Sequence, residues 1–417
     1  MFVSSLTQGT ACRAPVFGNA PSPPPGEGER GSVLDRLLER GVSRRSFLTW
    51  CAAVTGTLAL PPQLAPRVAA ALTQPDKPTL LWLEFQDCTG DTESFLRARN
   101  PSVSQLVLDV LSVDYHETIM AAAGRQAEEA RATALERGNH LLVVEGSVPL
   151  GADGAYCTIG GRSARQILEE ASRGAAAILN VGTCAAFGGL PAARPNPTHA
   201  VAVGDVVSGV PMLNLPGCPV NADNLTAAIV HYLTFKQLPA TDDQGRPLFA
   251  YGQRIHDNCP RRGFFDAGQF ALAWGDEGHR KGWCLYRLGC KGPSTWHNCP
   301  VRQWNASTSW PIGAGHGCVG CSEAGFWDTM TPFYDRLPHA RGLGLESTAE
   351  EIGVAVVAGT AGLFATHGVG KAVQHRVQGR REERKRDEDY TSPPAYEPPD
   401  FPPAEFERRQ PEETRPW

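Results

Sequence analysis

The sequence predicts an α/β chain: a mostly parallel, doubly wound sheet, then an irregular cysteine-rich region, then a single membrane-spanning helix near the C-terminus. Three observations carry that prediction. Short apolar strands alternate with helical stretches from residue 79 to about 250. Beyond residue 251 this periodicity disappears, and Gly, Pro, Cys, Trp and His dominate up to residue 328. Finally, residues 352–373 form a 22-residue stretch dominated by apolar and small side chains, close to the ~20 needed to cross a bilayer.

The N-terminal part reads as an address rather than a fold. Ser43-Arg44-Arg45-Ser46-Phe47-Leu48 begins an apolar stretch that runs to Leu60, and small residues follow at Val68-Ala69-Ala70-Ala71. A basic region, an apolar region and a small-residue cleavage site in that order describe an export leader. The Arg44-Arg45 pair before Ser-Phe-Leu resembles a twin-arginine signal, which sends proteins out already folded through the twin-arginine translocase. Residues 1–71 are therefore assigned to the leader and kept out of the folding unit. The competing reading is a chance Arg-Arg before a buried helix.

The α/β unit is assigned to 72–250. LLWLEF at 80–85, LLVVEG at 141–146, AILNV at 177–181 and VPMLNL at 210–215 read as buried parallel strands. Helices are expected from Thr92 and over residues 162–175. Ligands of such sheets bind outside the carboxyl ends of the strands. Cys88, Cys184 and Cys218 each follow a strand end in a Gly- or Pro-rich turn, so the topology draws them to one edge. The chain has 12 cysteines. Two, Cys12 and Cys51, lie in the leader, and six crowd between Cys259 and Cys321. Disulfides are open to an exported protein, but cysteines set beside Gly, Pro and His in short motifs suit metal ligation better. A net charge of −5 gives no sign of nucleic-acid binding.

Three candidate ligand sets result. Cys88, Asp91, Cys184 and Cys218 offer three thiolates and a carboxylate to a [4Fe–4S] cluster. His256, Cys259, Cys284 and Cys290 offer an imidazole and three thiolates, which suit either a [4Fe–4S] cluster or a zinc ion. Cys299, Cys318 and Cys321 offer three thiolates, suited to a [3Fe–4S] cluster; a Cys-x-x-Cys redox pair is the competing reading for the last two. Region 251–340 is assigned to the second and third sets, with metal binding supplying folding free energy. Cys157 reads as a small buried hydrophobe.

These motifs resemble the small subunits of [NiFe] hydrogenases over residues 79 to 328. The matching phrases are Val144-Glu145-Gly146-Ser147, Gly182-Thr183-Cys184-Ala185-Ala186, Pro216-Gly217-Cys218-Pro219 and Gly315-His316-Gly317-Cys318. The resemblance implies a flavodoxin-like sheet and an electron-transfer subunit of an H2-oxidising enzyme. It implies two [4Fe–4S] clusters, proximal and distal, and one medial [3Fe–4S] cluster. Cys88, Asp91, Cys184 and Cys218 would hold the proximal one. His256, Cys259, Cys284 and Cys290 would hold the distal one, and Cys299, Cys318 and Cys321 the medial one. The Ni–Fe centre would sit in a partner large subunit. The family has a cysteine where this chain has Asp91, and the change resembles the proximal site of actinobacterial-type, oxygen-insensitive enzymes. The two extra cysteines of the six-cysteine proximal variant are replaced by Gly90 and Gly189. A membrane b-type cytochrome or another quinone-linked carrier is the implied acceptor, and oligomers of the heterodimer are compatible with the family. The alternative is the iron–sulfur subunit of a complex-I-like quinone reductase, which shares the proximal-cluster fold.

The C-terminal part agrees with an exported enzyme. Residues 350–373 are assigned as the membrane anchor, with His367 and Lys371 as its polar members, and 374–417 as a basic, then Pro-rich cytoplasmic tail. The basic run at 376–386 keeps that tail inside and the globular body on the periplasmic face of the inner membrane.

Overall fold

A computed structural model describes residues 42–74, 77–98 and 102–335, with Leu38 and Leu337. Strands β1 (Thr79–Glu84), β2 (Ser112–His116), β3 (His140–Glu145), β4 (Ala175–Val181) and β5 (Met212–Leu215) form one sheet. Their spatial order is β2-β1-β3-β4-β5, and every neighbouring pair is parallel. This is the strand order of flavodoxin-like sheets, whose ligands bind where the winding reverses, between β1 and β3. Four of the strands match the apolar runs in the sequence. The fifth, β2, sits at the sheet edge, where Ser112 and Asp114 remain partly exposed, so its sequence carries no apolar run.

In chain order the longer helices and those that bear on the site are α1 (Arg44–Thr57), α2 (Ala65–Leu72), α3 (Gly90–Phe95), α4 (Arg125–Arg137), α5 (Ala164–Ser172), α6 (Gly182–Phe187) and α7 (Ala222–Phe235). Successive strand residues point to opposite faces. Leu80, Trp82, Leu141, Val143 and Leu179 build one core with α7. Leu81, Leu83, Leu142, Val144 and Ile178 build the other with Ala134 of α4 and Ile167 and Leu168 of α5. Both faces are covered, which is why the strands read as continuous apolar runs. Ser163 starts α5 through a capping box with Gln166. Asn221 starts α7 by accepting from the amides of Asp223 and Asn224, leaving Pro219 and Cys218 in the turn between β5 and that cap.

Residues 44–72, expected to lie apart from the folding unit, are two helices packed on it. Phe47, Trp50, Cys51, Val54, Val68 and Leu72 are buried in the same cluster as α7, and the Arg67 guanidinium lies 4.8 Å from the centre of the Phe235 ring. An apolar stretch in water buries its side chains on whatever apolar face is within reach. Arg44 and Arg45 stay exposed in the first turn of α1.

From residue 251 onward regular structure is reduced to short turns, as expected; the longest helix among the described residues there, Arg262–Asp266, has 5 residues. The region does have a small apolar core, made of Ile255, Ala271, Leu285, Leu288, Trp310 and Ile312, and Cys290, Cys299 and Cys318 are part of it. The expected anchor at 350–373 and the tail at 374–417 lie outside the described residues. Among those described, no helix is long and apolar enough to cross a membrane.

Candidate metal centres

Cys88, Cys184 and Cys218 follow β1, β4 and β5 at the carboxyl edge of the sheet. Cys184 lies within α6, Cys88 and Cys218 are exposed, and Asp91 is buried in the first turn of α3. The Asp91 carboxylate accepts from the Val220 amide, while its own amide donates to Glu145 Oε1 at 2.9 Å. Gly182 lets it in: a Cβ there would lie 2.0 Å from Asp91 Oδ2. Burial, then the charge of Glu145, pushes the Asp91 carboxyl well above the usual carboxylate range. Burial likewise raises the thiols of Cys184 and Cys218 to about 12 each, with Asp91 adding to both and Cys321 to Cys218. A bound cation would stabilise the deprotonated forms and so displace these protons. Gly90 and Gly189 abut the sulfurs: a Cβ on Gly90 would lie 3.0 Å from Cys88 Sγ, and one on Gly189 2.6 Å from Cys184 Sγ.

His256, Cys259, Cys284 and Cys290 come together around one small cavity, walled also by Ile255, Leu285 and Ile312. His256 Nε2 is buried and finds no hydrogen-bond partner among the described residues. Burial, helped by Arg262, lowers this imidazole to about 4, so it is neutral and its lone pair is free for a metal. Backbone amides aim at the sulfurs: Arg261 N–H at Cys259 Sγ, 3.4 Å, and Cys318 N–H at Cys290 Sγ, 3.3 Å.

Cys299, Cys318 and Cys321 line a second, larger cavity, whose wall includes Cys218, Pro311, Trp304 and Trp310. The Gly320 amide donates to Cys318 Sγ at 3.3 Å. Among the described residues no three of the His, Cys, Asp and Glu side chains converge tightly enough to chelate a single metal ion; the two cavities are the space the ligand sets surround. The second and third sets thus each line one cavity, and Cys218 of the first set borders the cavity of the third.

Sequence reasoning missed the groups that support them. Glu145 ends β3 and accepts from the Asp91 and Thr92 amides, the Thr92 hydroxyl and Trp82 Nε1; its only signal was the Val-Glu-Gly-Ser phrase. Thr183 accepts from the Gly217 amide at 2.9 Å and donates to the Cys321 carbonyl, tying the first set to the third. His297 Nδ1 lies 2.9 Å from Cys299 Sγ.

Two family models match. Residues 88–232 match the NADH ubiquinone oxidoreductase 20 Kd subunit, and residues 251–334 match the C-terminal region of the NiFe/NiFeSe hydrogenase small subunit. The uptake hydrogenase small subunit of Azotobacter vinelandii is 45% identical over 351 residues, covering 84% of this chain and 98% of that one. The chain belongs to the [NiFe] hydrogenase small subunits. The quinone-reactive Ni/Fe-hydrogenase small chain of Wolinella succinogenes is also 45% identical, covering 80% of this chain and 97% of its own. Among solved structures, the Ni-Fe-Se hydrogenase of Desulfomicrobium baculatum superposes with a TM-score of 0.59 at 33% identity, over 63% of this chain and 100% of that one. The complex-I-like alternative accounts for the sheet alone; the match over 251–334 assigns the cysteine-rich half of this small subunit to hydrogenases.

Proposed function

We propose that this small subunit is the electron wire of a membrane-bound uptake hydrogenase. Electrons from H2 oxidation in the large subunit would enter at Cys88, Asp91, Cys184 and Cys218, cross Cys299, Cys318 and Cys321, and leave by His256, Cys259, Cys284 and Cys290 toward a membrane cytochrome b or another quinone-linked carrier. The supporting observation is that the ligand sets adjoin in that order. Cys218 shares a cavity wall with Cys299, Cys318 and Cys321, and the Cys318 amide donates to Cys290 Sγ.

Bound in these sites, two [4Fe–4S] clusters and one [3Fe–4S] cluster would supply one-electron chemistry. The chain's own residues do the rest. Thiolates and the neutral His256 ring hold iron. Backbone N–H groups at 3.3 to 3.4 Å stabilise charge on Cys259, Cys290 and Cys318, and Ile255, Trp310 and Ile312 exclude water. Asp91 supplies a hard oxygen donor where sulfur is usual, which changes the potential and ligand exchange of that site; tolerance of H2 oxidation to air is the functional reading of this change. The Arg44-Arg45 leader and the 350–373 anchor would place the enzyme on the periplasmic side of the inner membrane.

Iron and sulfide analysis with EPR on the purified heterodimer, wild type beside Asp91→Cys, tests the proposal. The expected result is about eleven irons per small subunit and a proximal signal that changes in the variant. Zinc without iron would discard the wire. Iron for the medial and distal sites alone would discard Asp91 as a ligand.

A further inference from the structure

Lys291 stands at the junction of two of these sites, and cluster ligation itself gives it no part in electron transfer. It is 2% exposed and follows Cys290 directly. Its amide donates to the Cys318 carbonyl at 2.7 Å. Its carbonyl accepts from Thr295 Oγ1 at 2.7 Å, and that hydroxyl in turn accepts from Cys318 Sγ at 3.6 Å. The side chain thus springs from the short path between a distal and a medial ligand. Its ammonium donates to the carbonyls of Gly289 at 2.9 Å, Pro332 at 3.0 Å, and Asp335.

All three acceptors are neutral. A buried ammonium satisfied by carbonyls alone is costly unless an anion lies near. The Lys291 backbone joins Cys290 directly to the Cys318 carbonyl, so iron-bound thiolates at these two positions would set negative charge on both sides of the residue that carries this cation.

We propose that Lys291 is the built-in counter-cation of the medial and distal clusters, raising the reduction potentials of both so that electrons move outward. The proposal rests on the ligand assignment above. A cation near a cluster stabilises the extra negative charge of its reduced form, and local charge is one of the levers that set cluster potentials. A purely mechanical role, pinning residues 332–335 to the cluster loop, predicts the same contacts without the potential shift.

Redox titration of the whole heterodimer followed by EPR separates the two. Lys291→Gln keeps a donor at the head without charge, Lys291→Met removes both, and Lys291→Arg keeps the charge. Medial and distal midpoints that fall in the Gln and Met variants, stay at the wild-type value in the Arg variant, and leave the proximal midpoint unchanged are expected. Unchanged midpoints in Gln and Met would overturn the proposal. If neither neutral variant assembles, the Arg variant decides: loaded sites with wild-type midpoints support the need for charge, whereas loss of iron there as well makes the role one of shape and sinks it. Absence of iron from the wild type would instead defeat the ligand assignment itself.

Discussion

Single residues behind the cluster sites are tuned by burial more than by charge pairing. His116 shows this away from the ligands. Its ring stacks on Trp82 with centroids 4.8 Å apart, and its Nδ1 accepts from the Thr118 amide at 3.3 Å. Nδ1 also lies 3.3 Å from Glu84 Oε1, while Nε2 has no partner among the described residues. Burial lowers this imidazole from its ordinary value to about 4. The native chain resists protonation while the unfolded chain takes up a proton near pH 6.5. The His116 contribution to stability is thus complete above that value and is lost as pH falls toward 4, by about 3 kcal/mol. Thermal unfolding at pH 7 and pH 4.5 should show His116→Phe losing less stability on acidification than the wild type. Equal losses would mean the ring titrates normally.

Elements place the ligands because the strands stop at one edge and each following turn takes an unusual backbone. The β4–α6 junction is the tightest. Gly182 has φ +77 and brings its Cα against the Asp91 carboxylate. Gly182→Ala forces a side chain into the left-handed region, at about 1–2 kcal/mol, and also drives Asp91 from its pocket. The expected outcome is a lower Tm together with loss or alteration of the proximal EPR signal, while the medial and distal signals persist. An unchanged proximal signal would mean that Asp91 can move without consequence for the metal. The β1–α3 turn is linked to the same place through Glu145, which binds the amides of Asp91 and Thr92, so the end of β3 sets the height of the carboxylate.

The whole molecule joins two regions held by different forces. Residues 79–235 have two apolar cores on either side of a five-stranded sheet. Residues 251–335 have one small core whose members include three of the candidate ligands. Metal binding should therefore matter for folding in the second region far more than in the first. Removing iron with a chelator under reducing conditions should raise amide hydrogen exchange over 251–335 by roughly two orders of magnitude or more and leave β1, β3 and β4 protected. Equal protection in both regions after iron loss would show that the small core suffices.

Linear order alone is enough to list the candidates. Four apolar runs announced the central strands because a parallel sheet covered on both faces needs no polar alternation. The cysteines, His256 and Asp91 stood out because thiolate, imidazole and carboxylate in Gly- and Pro-rich turns have few purposes other than metal. The edge strand β2 was hidden, since an edge tolerates polar residues. The packing of residues 44–72 was hidden too, because an apolar leader and an apolar core helix have the same composition. Which groups meet is settled by the folded chain: that the Asp91 amide donates to Glu145, that Cys218 borders the Cys299 cavity, and that the amide of buried Lys291 donates to the Cys318 carbonyl. Those contacts join residues tens of positions apart in some cases, and in others depend on which way a side chain turns. Spacing along a chain encodes neither, because both follow from how the sheet edge and the cysteine-rich loops close on one another.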